Sequence, residues 1–488
     1  MSESDAVPVD RGQAGEPVPP RRRRRGLRWL SGLTAVVLIA GAVGYYVAGE
    51  DRFGLFAATE PPRPTQVAPP AGLTLPAVVA APAVAAPVAA AQLDAAAVRA
   101  ALTGPLSDSA LGASLAVSVA PVADPAVFVR GKGPVTPAST MKLLTTLAAL
   151  ETLGPEHRFA TTVVRRARQV VLVGGGDPLL TTRPITRAHW PAQADLTTLA
   201  DSTAAALKAA KVTRIRLSYD TSLFTGPVSS PWWEDDYLST DVVSPITSLW
   251  VDEGRTRPFR SARSSDPARD AAAVFANALK ARGIEVSGAL RERTAPQDAE
   301  KIASVQSAPL SELVEHTLIY SDNEAAEVLA RQVAVGRGMK ASFDGAARAV
   351  RQTLHDLGVD LAGAVIHDGS GLSRHDLLRA ETLVEVLQQS AADPESRAVL
   401  VGLPVAGFNG SLADRFDATV PEALGDVRAK TGTLSGVSGL AGTATTADGV
   451  PLLFVALADK VRLPDTLAAR AALDRIAAAL AACDCGSS

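Results

Sequence analysis

Cysteine is nearly absent from this chain. Its two copies, Cys483 and Cys485, sit at the extreme C-terminus, too few to supply a thiolate metal cage. An oxidising compartment would let them pair, although a bridge two residues apart is geometrically tight, and an unpaired tail is the other reading. Aromatic residues are only 4%, while hydrophobic residues reach 47%, largely through alanine. A net charge of −3 excludes a general nucleic-acid binder, which carries a strongly basic domain. Asparagine occurs three times, at Asn277, Asn323 and Asn409. Lysine is scarce too: nine of the 48 basic residues are lysine and the other thirty-nine are arginine. Each lysine therefore raises the question of why arginine would not serve.

The 488 residues allow two or three domains. Five arginines at 21–25 precede an uncharged stretch at 30–49. Twenty helical residues at ~1.5 Å each span ~30 Å, one bilayer core. The arginines mark residues 1–29 as a cytoplasmic tail, and Trp29, Tyr45 and Tyr46 lie where interfacial aromatics sit. The expectation is a single-pass anchor in the cytoplasmic membrane, with a cleaved signal segment as the alternative. Either places the remainder on the extracytoplasmic side. Residues 50–92 are rich in proline and alanine and read as a spacer.

Folded sequence begins near residue 93. "ASLAVSVAPV" and "PAVFVRGKG" read as a strand pair, followed by a helix over 139–153. Residues 160–305 change character, with strands in "RQVVLVGGGDPLL" and "TRIRLSYDTSL", a loop-like aromatic stretch holding Trp232, Trp233 and Trp250, and an amphipathic helix in "DAAAVFANALKARGIEV". They are treated as an inserted region of strands and short helices. The tail predicts two helices hinged at Ser321, three strands in "DVRAKTGTL", "GVSGLAGTATT" and "VPLLFVALAD", and a final helix over 464–482. The fold class expected is α/β (α+β): an antiparallel sheet flanked by helices, formed by 93–159 and 306–488. The tryptophans read as core between domains or as walls of a cleft.

Three short motifs carry the chemistry. In "PASTMK", Ser139 and Lys142 stand three apart, on one face of a helix. A serine hydroxyl needs a base to become a nucleophile. Lysine becomes that base once neutral, whereas arginine cannot discharge. Bringing a lysine from ~10.4 to near 7 takes about three units, or ~4 kcal/mol, which burial and a helix N-terminus both favour. In "YSDNEAAE", Ser321 and Asn323 flank Asp322 at a hinge, a hydroxyl for proton relay and an amide for a substrate peptide group. In "AKTGTLSG", a strand edge presents Lys430, Thr431, Gly432 and Thr433, suited to a carboxylate. Each has an ordinary alternative as a helix cap or a turn. Their order, Ser-x-x-Lys, Ser-Asp-Asn, Lys-Thr-Gly, joins them.

In that order the chain resembles the penicillin-recognising serine acyl transferases. "HDGSGLSRHDLL", "VLVGGGDPLL" and the long gap between Ser139 and Ser321 narrow the likeness to the low-molecular-mass class C penicillin-binding proteins, the D-alanyl-D-alanine carboxypeptidase/endopeptidase family. The resemblance spans residues 93–482. It implies a serine-type D-Ala-D-Ala carboxypeptidase, and in part an endopeptidase, acting on peptidoglycan stem peptides through an acyl-enzyme on Ser139, inhibited by β-lactams and needing no metal or organic cofactor. It implies that Lys142 accepts the serine proton, that Ser321 protonates the leaving amine, and that the backbone N–H groups of Ser139 and Thr433 form the oxyanion hole. Asn323, Lys430, Thr431, Gly432 and Thr433 would bind substrate. Asp177 and Arg374 match positions that hold the diaminopimelate side chain, with a turn-stabilising ion pair as the alternative for each. Rival functions are a β-lactamase and a non-catalytic, membrane-tethered wall-binding scaffold. The Glu-x-x-Leu-Asn water-activating motif of class A β-lactamases is missing: Asn409 is the single asparagine between the last two motifs, and Val405 stands four before it.

Overall fold

Asp94 opens the folded region by accepting the Ala96 N–H at 2.7 Å, which caps helix α1 (Ala95–Thr103). The structure, a computed structural model, describes residues 92–487 apart from 132, 186–189, 258–261 and 417–419. The expected spanning segment at 30–49 and nearly all of the spacer lie outside the described residues. Among those described, no helix is long and apolar enough to cross a membrane.

After α1 come β1 (Ser114–Pro121) and β2 (Phe128–Arg130), which pair antiparallel, and then helix α2 (Lys142–Leu153). Residues 160–305 supply β3 (Ala160–Arg166), β4 (Gln169–Val173), helix α3 (Leu196–Ala209), β5 (Arg214–Asp220), helix α4 (Pro267–Ala281), β6 (Glu285–Val286) and β7 (Arg291–Glu292). Strand β8 (Glu300–Gln306) leads back to helices α5 (Leu310–Ile319), α6 (Asn323–Gly336), α7 (Phe343–Asp356) and α8 (Ala380–Ala392). The chain ends in β9 (Val427–Leu434), β10 (Val437–Thr445), β11 (Pro451–Asp459) and helix α9 (Thr466–Ala481).

The first sheet is antiparallel throughout, in the order β2-β1-β11-β10-β9. Strand β11 shows why it needs cover on both sides. Leu452, Phe454, Ala456 and Ala458 turn to one face and pack with Leu473 and Ile476 of α9, while Leu453, Val455 and Leu457 turn to the other and pack with the cluster holding α2, α6 and α8. Helix α2 is buried on all sides from Lys142 to Leu150. Its run of leucine, alanine and threonine leaves no face fit for water.

The second sheet, in the order β6-β5-β4-β3-β8, is mixed: β3 pairs antiparallel with β4 and β8, whereas β4–β5 and β5–β6 are parallel. Helices α3 and α4 cover one of its faces through Leu199, Leu207, Phe275 and Leu279. The inserted helices run fourteen and fifteen residues, longer than the short helices expected of the region, and α4 coincides with the amphipathic helix expected there. The aromatic stretch within the insert packs elsewhere: Phe224, Trp233, Val243, Ile246 and Trp250 join the core around α2, not that of the second sheet. Cys483 and Cys485 are bridged and buried, and the Asp94 N–H donates to the Cys485 carbonyl at 2.8 Å, fastening the first helix to the chain's end.

Candidate active site

Ser139 does not cap an α-helix. It lies in a 3-10 turn, Ala138–Met141, ahead of α2, and Ala138 holds a left-handed φ of 47°. Such a conformation costs about 1–3 kcal/mol at a non-glycine residue and persists because its neighbours enforce it. A Cβ on Gly371 would lie 1.9 Å from the Ala138 carbonyl oxygen, and one on Gly432 would lie 2.7 Å from that of Pro137. Both glycines let a backbone press on the turn, one from the 367–376 loop and one from β9.

The turn delivers Lys142 to the centre of the site. Its Nζ lies 3.0 Å from Ser139 Oγ, 2.8 Å from Asn323 Oδ1 and 2.7 Å from the Ser370 carbonyl oxygen. The residue is fully buried, and burial pulls its pKa down to about 8 against the opposing pull of Asp368, Glu327, Asp322 and Glu324. A neutral amine has two N–H groups and one lone pair. The two carbonyl oxygens only accept, so they take both N–H groups. The lone pair is then left facing the one partner able to donate, the Ser139 hydroxyl.

A second lysine–serine pair lies alongside. Lys430 Nζ donates to Ser321 Oγ at 2.8 Å and to the Thr431 carbonyl at 3.0 Å. Burial drives its pKa well below the usual value, and the charge of Lys142 adds to that. Ser321 has φ 57° between α5 and α6, where Asp322 caps α6 by accepting the Ala325 N–H at 2.9 Å. Thr431 Oγ1 is bonded to Ser411 Oγ at 2.8 Å, and Thr433 is exposed on the outer strand of the sheet. The three motifs, far apart in sequence, thus meet around one cleft.

Asp177 and Arg374 stand differently. Asp177 is buried, accepts the Leu179 N–H at 2.9 Å and is pushed up to about 7 by burial. Among the described residues it has no ion pair. Arg374 does pair, with Glu234 at 3.0 Å, and its Nη1 donates to the Ser435 carbonyl at 2.8 Å, just past β9. Trp233 and Trp250 are core; their indole N–H groups donate to Asp368 and to the Pro178 carbonyl. Trp232 is 41% exposed and stacks on His367.

Several contributors carry no signal within the three motifs. Glu327 Oε1 accepts the N–H groups of Gly369 and Ser370 at 3.0 and 2.8 Å. Asp368 accepts those of Gly371 and Ser373, each at 2.7 Å. Together they fix the loop whose Ser370 carbonyl meets Lys142. Asp376 Oδ1 accepts the His367 N–H at 2.7 Å, its Oδ2 has no partner among the described residues, and burial followed by the charge of Asp368 drives its pKa well above the usual value. Asp368 and Asp376 thus hold the backbone of the 367–376 loop. Elsewhere, Glu253, His316 and Asp322 bring ligand-type atoms within 4.8 Å of one another, but Arg255 donates twice to Glu253, which makes that trio part of an ion-pair network.

Comparison with known proteins agrees with this geometry. The family model described as D-Ala-D-Ala carboxypeptidase 3 (S13) matches residues 98–262 and 258–480. Carboxypeptidase DacB of Mycolicibacterium smegmatis is 35% identical over 481 residues, covering 96% of this chain and 100% of that protein. Carboxypeptidase Rv3627c of Mycobacterium tuberculosis is 36% identical, covering 72% of this chain and 76% of its own length. The crystal structure of penicillin binding protein 4 (dacB) from Haemophilus influenzae superposes with a TM-score of 0.62 at 23% identity, over 78% of this chain and 97% of that one, a likeness of fold. Sequence, fold and motif geometry converge, and the chain belongs to the D-Ala-D-Ala carboxypeptidase 3 (S13) family of hydrolases.

Proposed function

We propose that the protein removes the terminal D-alanine from peptidoglycan stem peptides through an acyl-enzyme on Ser139. The observation that carries this reading is the buried Lys142 amine, 3.0 Å from Ser139 Oγ with two carbonyl acceptors on its other sides. Ser139 Oγ attacks the carbonyl carbon of the penultimate D-alanine while its proton passes to Lys142 Nζ. The carbon–nitrogen bond breaks as Ser321 gives its proton to the leaving amine; the proton that Lys142 took from Ser139 passes through Lys430 to Ser321, so both lysines end neutral. Water then attacks the ester carbonyl while Lys142 takes its proton, and Lys142 returns that proton to Ser139 Oγ as the carbon–oxygen bond breaks. The backbone N–H groups of Ser139 and Thr433 hold the oxyanion. Lys430, Thr431 and Thr433 hold the terminal carboxylate, and Gly432 lets the strand approach the turn. The Asn323 amide nitrogen, which has no partner among the described residues while Oδ1 meets Lys142, would take the acyl-side carbonyl. Asp177 and Arg374 would take the ammonium and carboxylate of the diaminopimelate side chain.

A β-lactam enters the same cycle but leaves slowly, so it inhibits; a β-lactam complex is known for the Haemophilus influenzae protein of the same fold. Cross-linked stem peptides present the same bond, so endopeptidase activity belongs to this reading. So does a tether at residues 30–49 that holds the site on the outer side of the cytoplasmic membrane. Fluorescent penicillin should label the wild type and not Ser139→Ala, and mass spectrometry of digested wall should show pentapeptides shortened by one residue. An unlabelled wild type would return the scaffold reading.

A further inference from the structure

On the side of the second sheet away from α3 and α4, the end near the β3–β4 turn is exposed and basic. Residues paired across strands share a face, and the register places Arg166 beside Gln169 and Gln169 beside Arg216. Arg214, two residues before Arg216, points the same way. Ile215, Leu217 and Val170 point oppositely, into the core beneath α3 and α4. Arg168, in the turn joining β3 and β4, accepts the Arg216 N–H on its carbonyl at 2.9 Å, which ties turn to strand. These side chains line a cleft of about 870 Å³ that lies wholly within the inserted region.

Charge in the cleft is only partly answered. Arg166 pairs with Asp298 at 3.2 Å and Arg214 with Glu285 at 2.7 Å, all four being more than half exposed. Pairs of that kind are weak and exchange readily with another anion. Arg168 and Arg216 have no acidic partner among the described residues. None of the three motifs reaches this place, so the catalytic chemistry does not account for it.

We propose that this cleft binds a polymer of repeated phosphodiesters in the cell wall. Guanidinium groups favour phosphate oxygens through two parallel hydrogen bonds. The cleft is larger than one phosphate needs, and its arginines are spread over two strands and a turn, which suits a chain of spaced charges. A membrane surface fits less well, because none of the exposed large apolar side chains lines the cleft, and surface-seated proteins insert such groups. Single-stranded nucleic acid fits less well too, since the cleft has no aromatic ring on which a base would stack. The choice of a wall polymer rests on the extracytoplasmic location given under the proposed function; the anion site itself does not.

The test uses the full-length chain in detergent and poly(glycerol phosphate) as probe. Affinity should fall at least ~10-fold in R168E/R216E, and in R168Q/R216Q the slope of log affinity against log salt should drop by about one per arginine removed. Fluorescent-penicillin labelling of Ser139 should match the wild type in both variants, which reports that they are folded. Unchanged polymer binding in both variants would overturn the proposal. So would inorganic phosphate competing as well per phosphate group, or anionic phospholipid vesicles or single-stranded DNA binding as tightly through the same arginines. A wild type that binds polymer but takes no penicillin would leave the cleft standing and remove the catalytic reading alone.

Discussion

Two sheets of this protein handle positive charge in opposite ways. The cleft beside the antiparallel sheet uses lysine, at 142 and 430, and buries both completely. The basic end of the mixed sheet uses arginine, at 166, 168, 214 and 216, and leaves all four exposed. Only nine lysines occur in the chain, and two of them meet in one cleft. The contrast teaches that cation identity follows the fate of the proton. On the proposed mechanism a proton leaves and returns at the lysines, and desolvation prepares them. At the proposed anion site the charge persists, which suits arginine, since it stays protonated and is more weakly hydrated.

The most direct way to break that contrast is Lys142→Arg. A guanidinium keeps positive charge in the cleft but cannot accept the Ser139 proton. Acylation by fluorescent penicillin should fall at least ~10³-fold, equivalent to roughly 4 kcal/mol of barrier. Stopped-flow labelling of the purified variant measures this. A loss below tenfold would mean that positive charge, not a discharged amine, is what the position supplies.

The contrast should also appear with pH. Lys142 sits at about 8, lowered by burial. Below that value the amine is protonated and cannot act as base, so the acylation rate should climb with pH and level off above it. Between pH 6 and pH 9 the neutral fraction grows by roughly 10²-fold, and the rate should follow. Polymer binding at the arginine face should stay flat over the same range, because no arginine titrates there. A flat acylation profile, or a polymer affinity that tracks the acylation rate, would erase the distinction.

The chemistry of the cleft is more legible in the sequence than its support. The three motifs are short local strings, and their residues meet as that reading expects. The three C-terminal strands and the hinge at Ser321 also follow from alternation and from capping residues. The turn at Ala138–Met141 does not, because its left-handed backbone is imposed by Gly371 and Gly432, remote in sequence. Nor does the third carbonyl around Lys142, since Ser370 lies 228 residues away and offers a backbone atom that carries no residue-type signal. Ser411 is silent for the same kind of reason: it is one of many serines until β9 places Thr431 against it. Helix α3 holds five alanines and three leucines in fourteen residues, a composition that propensity favours. Burial of Leu196, Leu199 and Leu207 against the second sheet adds to that preference.

Carboxylates beneath the cleft sharpen the comparison at a smaller scale. Glu327→Ala leaves the Gly369 and Ser370 N–H groups buried without an acceptor, which should cost about 2–4 kcal/mol of stability. It also loosens the loop that brings the Ser370 carbonyl to Lys142, so acylation should slow by roughly tenfold. Glu327→Gln keeps an oxygen at the same place. Burial, followed by the charge of Asp368, raises the Glu327 pKa to about 8, so the neutral amide should melt within ~1 kcal/mol of wild type. Thermal melts beside the labelling rates separate the two variants. Equal damage from both would mean that charge at Glu327, not an acceptor, organises the loop.

The smallest effect concerns the arginine at the cleft itself. Arg374 is partly exposed, paired to Glu234 and bonded to the Ser435 carbonyl. By the rule that arginine marks a lasting charge, it should serve the substrate and not the proton. Arg374→Gln should therefore leave penicillin acylation and its pH profile unchanged, since a simple penicillin has no second carboxylate at that place. It should lower kcat/KM several-fold for a stem peptide ending in D-Ala-D-Ala with a free diaminopimelate carboxylate, a loss on the order of 1 kcal/mol. Most of that loss should appear in KM, because the group binds ground state and transition state alike. Arg374→Lys should recover part of it, keeping the charge while losing the two-pronged geometry. A substrate lacking the diaminopimelate carboxylate should be indifferent to all three residues. If it suffers as much as the full peptide, Arg374 acts through Glu234 and the 234–238 segment, as a brace for the cleft wall and not as a contact to substrate.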